Sequence, residues 1–366
     1  MEKKKIVAGI SHGDINGIGY EVIIKALSDP MINDLCIPVV YGSPKVAAYH
    51  RKALNINNFS FNNIRIADDA HDKKANMINC LDDNTRVELG KSTPQGGEAA
   101  FISLERAVGD LLNGKIDVLI TAPIDKQNIQ SENFQFNGHT EYLKSKSGTE
   151  EVLMFMISES MRIGVATGHV PLSEVPELIT ADTLMSKIRL MNQSLKQDFG
   201  IRKPRIAILG LNPHAGEKSL LGKEEEEIII PAIQLAQKEG ILTFGTFAAD
   251  GFFGSGSFVK FDGILAMYHD QGLTPFKALS FDSGVHFTAG LPYVRTSPGH
   301  GTAFSIAGKG EASENSFRQA MYLACDIFRN RETYKEINNN PLKHQDIDFH
   351  SDRFDELPPE IPNPEQ

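Results

Sequence analysis

Three histidines follow three separate apolar runs of the kind that form buried strands. His169 lies in GVATGHVP, His214 in AILGLNPHAG and His269 in ILAMYHDQG. In open parallel sheets, ligands bind outside the carboxyl ends of the strands, where these side chains would lie. Neutral imidazoles without a thiolate suit a catalytic divalent cation that keeps positions open for a substrate. Each histidine alone is typical of an ordinary loop, but the recurrence at three strand ends favours a metal site.

A second group of side chains predicts an anion site. His139 and Thr140 stand at the start of a predicted helix in NGHTEYL, where free backbone N–H groups attract phosphate. Lys277 and Arg295 lie in a stretch rich in Gly and Pro and can supply positive charge, the arginine as a bidentate fork. Single lysines and arginines are usually solvated surface residues, so the residues alone leave phosphate binding and simple exposure equally open.

The elements that must position these residues alternate between strands and helices. Residues 98–112 carry one apolar helical face, and residues 116–120 form a short apolar strand that ends at TAP. Similar runs at 162–167, 205–211 and 263–268 each precede a loop that contains glycine. This alternation predicts a mainly parallel α/β sheet that is covered by helices on both faces.

Three segments need a separate interpretation. Residues 55–93 are polar and rich in Asn and Asp, which predicts an irregular segment with a few edge strands. The four acids at 224–227 predict the first turn of a helix, where carboxylates favour the positive end of the dipole. GDINGIGYE follows neither the dinucleotide-binding nor the P-loop pattern, so it predicts a tight turn between a strand and a helix.

Composition limits the classes of protein to which the chain can belong. Its 366 residues suggest two domains, and a formal net charge of −10 argues against a nucleic-acid-binding surface. Three widely spaced cysteines predict neither disulfides nor a thiolate zinc site and favour a reducing compartment. No membrane span or secretory signal is recognisable. We therefore expect a cytoplasmic protein with no membrane or nucleic-acid partner.

Taken together, the motifs resemble one known family. They occur in the order found in the 4-hydroxythreonine-4-phosphate dehydrogenases of vitamin B6 (pyridoxal phosphate) biosynthesis: GDINGIGYEV, TAPIDK, NGHTEYL, ATGHVPL, GLNPHAGE, MYHDQGL and GLPYVRTSPGHGTAFSIAGKG. The last motif is also similar to the cofactor segment of isocitrate and isopropylmalate dehydrogenases, which share the fold of this family.

The resemblance implies an architecture. We expect two three-layer α/β/α domains in an isocitrate/isopropylmalate dehydrogenase-like arrangement, with the active site in the cleft between them. Residues 1–135 plus 265–335 would form the first domain, with the cofactor segment. Residues 136–264 would form the second, with metal ligands and dimer contacts, and residues 336–366 a weakly ordered tail. A homodimer, in which each active site is shared between the subunits, is also implied.

The resemblance also implies roles for individual residues. The metal ligands of the family are matched by His169, His214 and His269, for one zinc, magnesium or cobalt ion per subunit, with at least one ligand from the other subunit. The substrate-binding positions are matched by His139, Thr140, Lys277 and Arg295. The nucleotide part of NAD would lie against His300, Gly301 and Thr302.

The chain departs from the family in two motifs. GDINGIGYE replaces the usual GDPAGIGPE, a backbone change that we expect to be tolerated. His286 stands where the family has a substrate-contacting asparagine, which leaves the fine substrate preference open. We expect His286 to contact the substrate and to bind an anionic group more strongly once protonated, at about pH 6.5 if its pKa is unperturbed.

The implied reaction is the NAD-linked, metal-dependent oxidation and decarboxylation of 4-phosphohydroxy-L-threonine to 3-amino-2-oxopropyl phosphate. The candidates for the catalytic proton shuttle are Asp250, Asp270 and Lys126, among which the sequence does not choose. A sister substrate, 4-phospho-D-threonate or 4-phospho-D-erythronate, would leave the motifs unchanged. A metal-dependent phosphoester hydrolase and a non-catalytic phosphate-binding protein are the alternatives from other classes.

Overall fold

One sheet of twelve strands runs through residues 5–340, the part of the chain that the computed structural model describes. In chain order the strands are β1 Ile6–Ser11, β2 Cys36–Gly42, β3 Asn62–Ile64, β4 Asn76–Asn79, β5 Val118–Thr121, β6 Leu153–Ile157, β7 Arg162–Val165, β8 Arg205–Leu209, β9 Leu242–Phe247, β10 Gly263–Ala266, β11 Val285–Ala289 and β12 Val294–Pro298. Across the sheet their order is β3-β4-β2-β1-β5-β12-β11-β6-β7-β10-β8-β9.

Helices connect most of these strands. In chain order they are α1 Gly19–Leu27, α2 Ile32–Leu35, α3 Pro44–Ala53, α4 Pro94–Leu112, α5 His139–Ser147, α6 Val175–Leu178, α7 Ala181–Gln197, α8 Ile230–Lys238, α9 Ala249–Gly254, α10 His269–Ser280 and α11 Asn315–Asn338. A π-helical segment, Glu225–Ile229, leads directly into α8. None of the helices in residues 5–340 has both the length and the apolar character that crossing a membrane requires.

The sheet is mainly parallel, as predicted. Parallel pairing joins every pair of neighbouring strands except three in the middle, β12–β11, β11–β6 and β6–β7. Only residues 290–293 separate β11 from β12, a connection too short for the crossover that parallel strands need. The mixed α/β class is therefore confirmed, with a reversed centre that the sequence pattern did not indicate.

Helices cover both faces because successive strand residues point to opposite sides. On β5, Val118 and Ile120 pack in the apolar cluster that includes α11, whereas Leu119 packs in the cluster that includes α4. On β10, Leu265 shares a cluster with α7 and α8, while Ile264 lies with α9 and α10. This alternation produces the predicted layers of helix, sheet and helix.

The individual predictions of elements are confirmed with small shifts of their ends. The helix expected at 98–112 is α4, which begins earlier because the Oγ1 of Thr93 accepts a hydrogen bond from the backbone N–H of Gly96. The strand expected at 116–120 is β5, and β7, β8 and β10 each end two residues before their predicted limits. Residues 55–93 hold the short strands β3 and β4 and a 3₁₀ turn at Ala67–Asp69, with β3 at the edge of the sheet.

The glycine stretch at residues 13–19 is a turn between β1 and α1, as predicted. Gly13 has a φ of +70°, which glycine adopts without strain. Of the expected tail, residues 336–338 belong to α11, and residues 341–366 lie outside the described part of the chain. The division into two domains stays a prediction.

Candidate active site

A cavity of about 310 Å³ lies over the middle of the sheet. Its floor is formed where β6, β11 and β12 run side by side, because His286 is paired with Met156 on one side and with Ser297 on the other. Arg295 lies two residues before Ser297 and therefore points to the same face of the sheet. Thr121 lines the cavity from the end of β5.

Arg295 is the dominant charge of this floor. It is 2% exposed and forms no ion pair with a carboxylate among residues 5–340. Its Nε and Nη2 donate to Thr121 Oγ1 over 3.1 and 2.7 Å, and its Nη1 donates to Thr288 Oγ1 over 3.1 Å and to His286 Nδ1 over 2.9 Å. Burial lowers the pKa of Arg295 to about 9, which leaves the guanidinium charged at neutral pH. A buried cation held only by neutral groups is stabilised by a bound anion.

His286 presents a hydrogen-bond donor to the cavity. Because Arg295 donates to Nδ1, the neutral ring carries its proton on Nε2, and that nitrogen is buried without a partner. Burial, followed by the nearby charges of Arg295 and of other cavity side chains, holds the pKa of His286 well below its ordinary value. The condition on which His286 would titrate near pH ~6.5, an unperturbed pKa, is therefore not met, and protonation would also replace the acceptor that Arg295 uses.

Other predicted substrate residues line the same cavity. Helix α5 begins at His139, so the backbone N–H groups of His139 and Thr140 lie in its first turn. Lys126 and Lys277 add two flexible positive charges to the lining. The Nε2 of His139 is buried without a partner, as is that of His300, which lines the same cavity. Buried polar atoms are normally satisfied, so these unpartnered nitrogens indicate where a ligand binds.

Two of the three predicted metal ligands are brought together. The ring centroids of His169 and His269 are 5.1 Å apart, and both side chains line the cavity. The Nδ1 of His269 bonds to the Oδ1 of Asp270 over 2.7 Å, which leaves Nε2 for a ligand. A carboxylate that orients an imidazole in this way is typical of metal sites. Burial lowers the pKa of His169, which favours the neutral form that binds a metal.

The third predicted ligand, His214, lies elsewhere in the same chain. It lines a second cavity of about 730 Å³ together with Asp250 and Asp270. Helix α10 separates the two cavities, because His269 and Lys277 face the first, and Asp270 faces the second. Strands β7, β10 and β8 are neighbours in the sheet, but within residues 5–340 of one chain no three His, Cys, Asp or Glu side chains are grouped to hold a metal ion.

The sequence analysis missed three polar residues of the site. Thr121 and Thr288 hold Arg295 in place, and Glu141 is the one carboxylate among the described residues that line the first cavity. Thr121 and Glu141 both lie inside quoted motifs, TAPIDK and NGHTEYL. Their position at a strand end and in a first helical turn was the available signal. Of the three proton-shuttle candidates, only Lys126 lines this cavity, whereas Asp250 and Asp270 line the second.

The predicted cofactor segment packs against the first glycine turn. His300 and Gly301 line the first cavity, and the carbonyl oxygen of Thr302 accepts a hydrogen bond from the backbone N–H of Ile18 over 3.0 Å. A Cβ atom on Gly17 would lie 2.7 Å from that oxygen, so only glycine permits this approach. The turn therefore supports the loop at 300–302.

The fold and the cation-lined cavity place the chain among the α/β enzymes, and comparison with known families makes this assignment specific. The family model described as pyridoxal phosphate biosynthetic protein PdxA matches residues 34–324. The chain belongs to this family.

Individual relatives agree with the family assignment. A 4-hydroxythreonine-4-phosphate dehydrogenase from Bacteroides thetaiotaomicron is 54% identical over 347 residues, which cover 94% of this chain and 95% of the relative. A putative D-threonate 4-phosphate dehydrogenase from Oceanobacillus iheyensis is 39% identical and covers 89% of this chain and 99% of its own. The crystal structure of the 4-hydroxythreonine-4-phosphate dehydrogenase from Klebsiella pneumoniae superposes with a TM-score of 0.76 at 32% identity, over 89% of this chain and 98% of its own.

Proposed function

We propose that the protein oxidises and decarboxylates 4-phosphohydroxy-L-threonine to 3-amino-2-oxopropyl phosphate, with NAD and a divalent metal ion, in pyridoxal phosphate biosynthesis. The observation that carries this proposal is Arg295 on the floor of the cavity, which is buried and charged and forms no ion pair with a carboxylate among residues 5–340. Three imidazole nitrogens of the same cavity have no hydrogen-bond partner. Such a site favours a small polar anion. The names of the relatives supply the identity of that anion.

The substrate carries a phosphate and a carboxylate, and the cavity offers two regions that bind anions. One is the first turn of α5 with His139 and Thr140, where backbone N–H groups and the helix dipole favour negative charge. The other is the fork of Arg295 together with the Nε2–H of His286. Lys277 adds positive charge to the same lining. Binding at both regions fixes the orientation of the carbon chain.

The residues present fit a divalent ion. His169 and His269 supply neutral imidazoles, and Asp270 orients the second of them. His214 faces the second cavity, so we propose that it completes the site of a partner subunit in a homodimer. When bound, the ion supplies a Lewis acid beside the hydroxyl that is oxidised, and NAD, held near His300, Gly301 and Thr302, supplies the hydride acceptor.

The proton of the substrate hydroxyl needs an acceptor inside the cavity. Lys126 Nζ is the candidate within one chain, a role in which it acts as the neutral amine, because Asp250 and Asp270 line the second cavity. In the proposed homodimer, these two carboxylates accompany His214 towards the partner's site and stay candidates there. Oxidation of the hydroxyl gives a β-keto acid. When this acid loses carbon dioxide, an electron pair is left on the adjacent carbon, which then takes up a proton.

A second substrate is favoured by a specific observation. Relatives at 39% identity include a putative D-threonate 4-phosphate dehydrogenase, and His286 replaces the family asparagine in the substrate cavity. A phosphorylated threonate or erythronate is therefore the alternative within the same reaction class.

We retain the prediction of a cytoplasmic enzyme, which the three free cysteines support.

Assays of NADH formation with zinc or magnesium present test the proposal. We expect turnover with 4-phosphohydroxy-L-threonine, and less with 4-phospho-D-threonate and 4-phospho-D-erythronate. Highest activity with either threonate or erythronate would move the assignment to the sister enzyme. Release of inorganic phosphate without NADH would instead identify a phosphoester hydrolase, and binding without either product a non-catalytic protein. The variant His214→Ala, which lacks one proposed metal ligand, should lose both the bound metal and turnover.

A further inference from the structure

A buried carboxylate lies beneath the loop that carries His214. Glu225 is 1% exposed and accepts hydrogen bonds from the backbone N–H of Asn212 at Oε1 over 2.7 Å and from its Nδ2 at Oε2 over 3.0 Å. Glu224 accepts from the same amide over 2.8 Å. The acidic run at 224–227 therefore does more than begin a helix, because its first two members turn inwards to Asn212.

The loop above Glu225 has an unusual backbone. Each residue from 214 to 219 has a positive φ, between 43° and 81°, and only Gly216 among them is a glycine. Left-handed conformations of this kind persist where the surrounding structure holds them, and they cluster at functional sites. The π-helical segment that starts at Glu225 belongs to a class of distortion with the same tendency.

Glu225 is the side chain around which this loop is wrapped. A Cβ atom on Gly216 would lie 2.7 Å from Glu225 Oε2, and one on Gly210 would lie 3.1 Å from Oε1. The backbone therefore approaches the carboxylate closely at Gly210, before His214 in the chain, and again at Gly216, after it. Among residues 5–340 Glu225 forms no ion pair, and both oxygens of its buried carboxyl group accept hydrogen bonds from Asn212.

We propose that Glu225 is a positioning residue that holds the His214 loop, through Asn212, in the conformation in which His214 binds the metal ion. This inference rests on the proposed function, in which His214 is a metal ligand. Groups that orient a ligand typically change metal affinity by about 10- to 100-fold when they are removed. Glu225 touches neither substrate nor metal, and it acts through the backbone that it fixes.

Zinc alone, added to the metal-free full-length protein in competition with a chelating dye, provides the test. In Glu225→Gln the volume is kept, but an NH₂ group faces the Nδ2 donor of Asn212. We expect the zinc Kd to rise about 10- to 100-fold in this variant. The matched control is Glu226→Gln, an exposed member of the same acidic run, which should bind zinc like the wild type.

A second variant separates positioning from folding. Asn212→Ala keeps the carboxylate and the backbone hydrogen bond, so it should fold and weaken zinc binding to an intermediate degree. A merely structural Glu225 would lower the unfolding temperature of the metal-free protein and leave the zinc Kd of the folded protein unchanged. Unchanged zinc binding in Glu225→Gln, or in Asn212→Ala if the first variant does not fold, would overturn the inference. Equal zinc binding by the wild type and His214→Ala would instead overturn the proposed function.

Discussion

The Nη1 of Arg295 donates to the Nδ1 of His286 over 2.9 Å, and this contact decides what the imidazole offers to a ligand. With Nδ1 used as an acceptor, Nε2 carries the proton and is a buried donor without a partner in the lining of the cavity. An asparagine at this position could accept from the same arginine through Oδ1 and donate through Nδ2. His286 thus offers the same hydrogen-bonding polarity as an asparagine at this position would.

This relationship predicts the outcome of His286→Asn. Because Arg295 uses Nδ1 as an acceptor and burial holds the pKa of His286 well below its ordinary value, the ring is neutral at neutral pH. The KM profiles of wild type and variant against pH should therefore run parallel and differ by less than about threefold, since the same two hydrogen bonds form. An acid-side fall of KM in the wild type alone would show that the ring does titrate.

The contrast variant is His286→Leu, which removes both the acceptor for Arg295 and the donor to the substrate. Loss of a hydrogen bond to a charged group typically costs about 1.5–3 kcal/mol, so KM should rise by at least about tenfold. Circular dichroism checks that the variant is folded. A KM that stays at the wild-type value in His286→Leu would mean that residue 286 does not contact the substrate.

Arg295→Lys should lose activity although it keeps the charge. Lysine is a point charge on a flexible stem and cannot bond to Thr121, Thr288 and His286 at once as the guanidinium does. We expect kcat/KM to fall by about 100-fold or more, because a misplaced substrate reacts slowly. Arg202→Lys, at an exposed position, is the control. Equal effects of the two substitutions would remove Arg295 from the substrate site.

The sequence predicted the strand ends well because the signal there is local. Apolar runs followed by Gly and His gave β7, β8 and β10, and these strands are neighbours in the sheet. The side on which each histidine emerges was not predictable, because it depends on the path of the following loop. His214 enters the second cavity on a left-handed segment that packs around Glu225. Likewise, Thr288 matters only because β11 runs antiparallel beside β12, a long-range pairing that no local pattern contains.

Shared sites can be tested by mixing two inactive proteins. His214→Ala lacks the ligand in the second cavity, and Arg295→Lys lacks the anion fork in the first. In a mixed dimer, one of the two sites would combine an intact Arg295 with an intact His214 from the partner. Random exchange makes half of the dimers mixed, so about one quarter of wild-type activity should return. No recovery after verified subunit exchange would show that His214 acts within its own chain.

A buried aromatic column predicts how stability depends on pH. His12, Tyr20 and His50 stack with ring centroids 5.0 Å apart at each step, beside the first glycine turn. Burial lowers the pKa values of His12 and His50 to about 4. In the unfolded chain a histidine titrates near pH ~6.5, so between these values the unfolded state binds protons that the folded state does not. The contribution of these two histidines to the free energy of unfolding should therefore fall as pH drops from about 6.5 towards about 4.

The substitution His50→Gln removes one of the two histidines that take up a proton on unfolding. The Nε2 of His50 bonds to the carbonyl oxygen of Ile15 over 2.8 Å, and a glutamine amide can donate to the same oxygen. Near pH 5 the variant should lose about 1.4 kcal/mol less stability per pH unit than the wild type, because one fewer proton is taken up on unfolding. Urea unfolding at pH 5, 6, 7 and 8 measures this difference, and the two slopes should coincide above pH 7, where the histidines are neutral in both states. Equal slopes near pH 5 would mean that His50 binds a proton in the folded protein despite its burial.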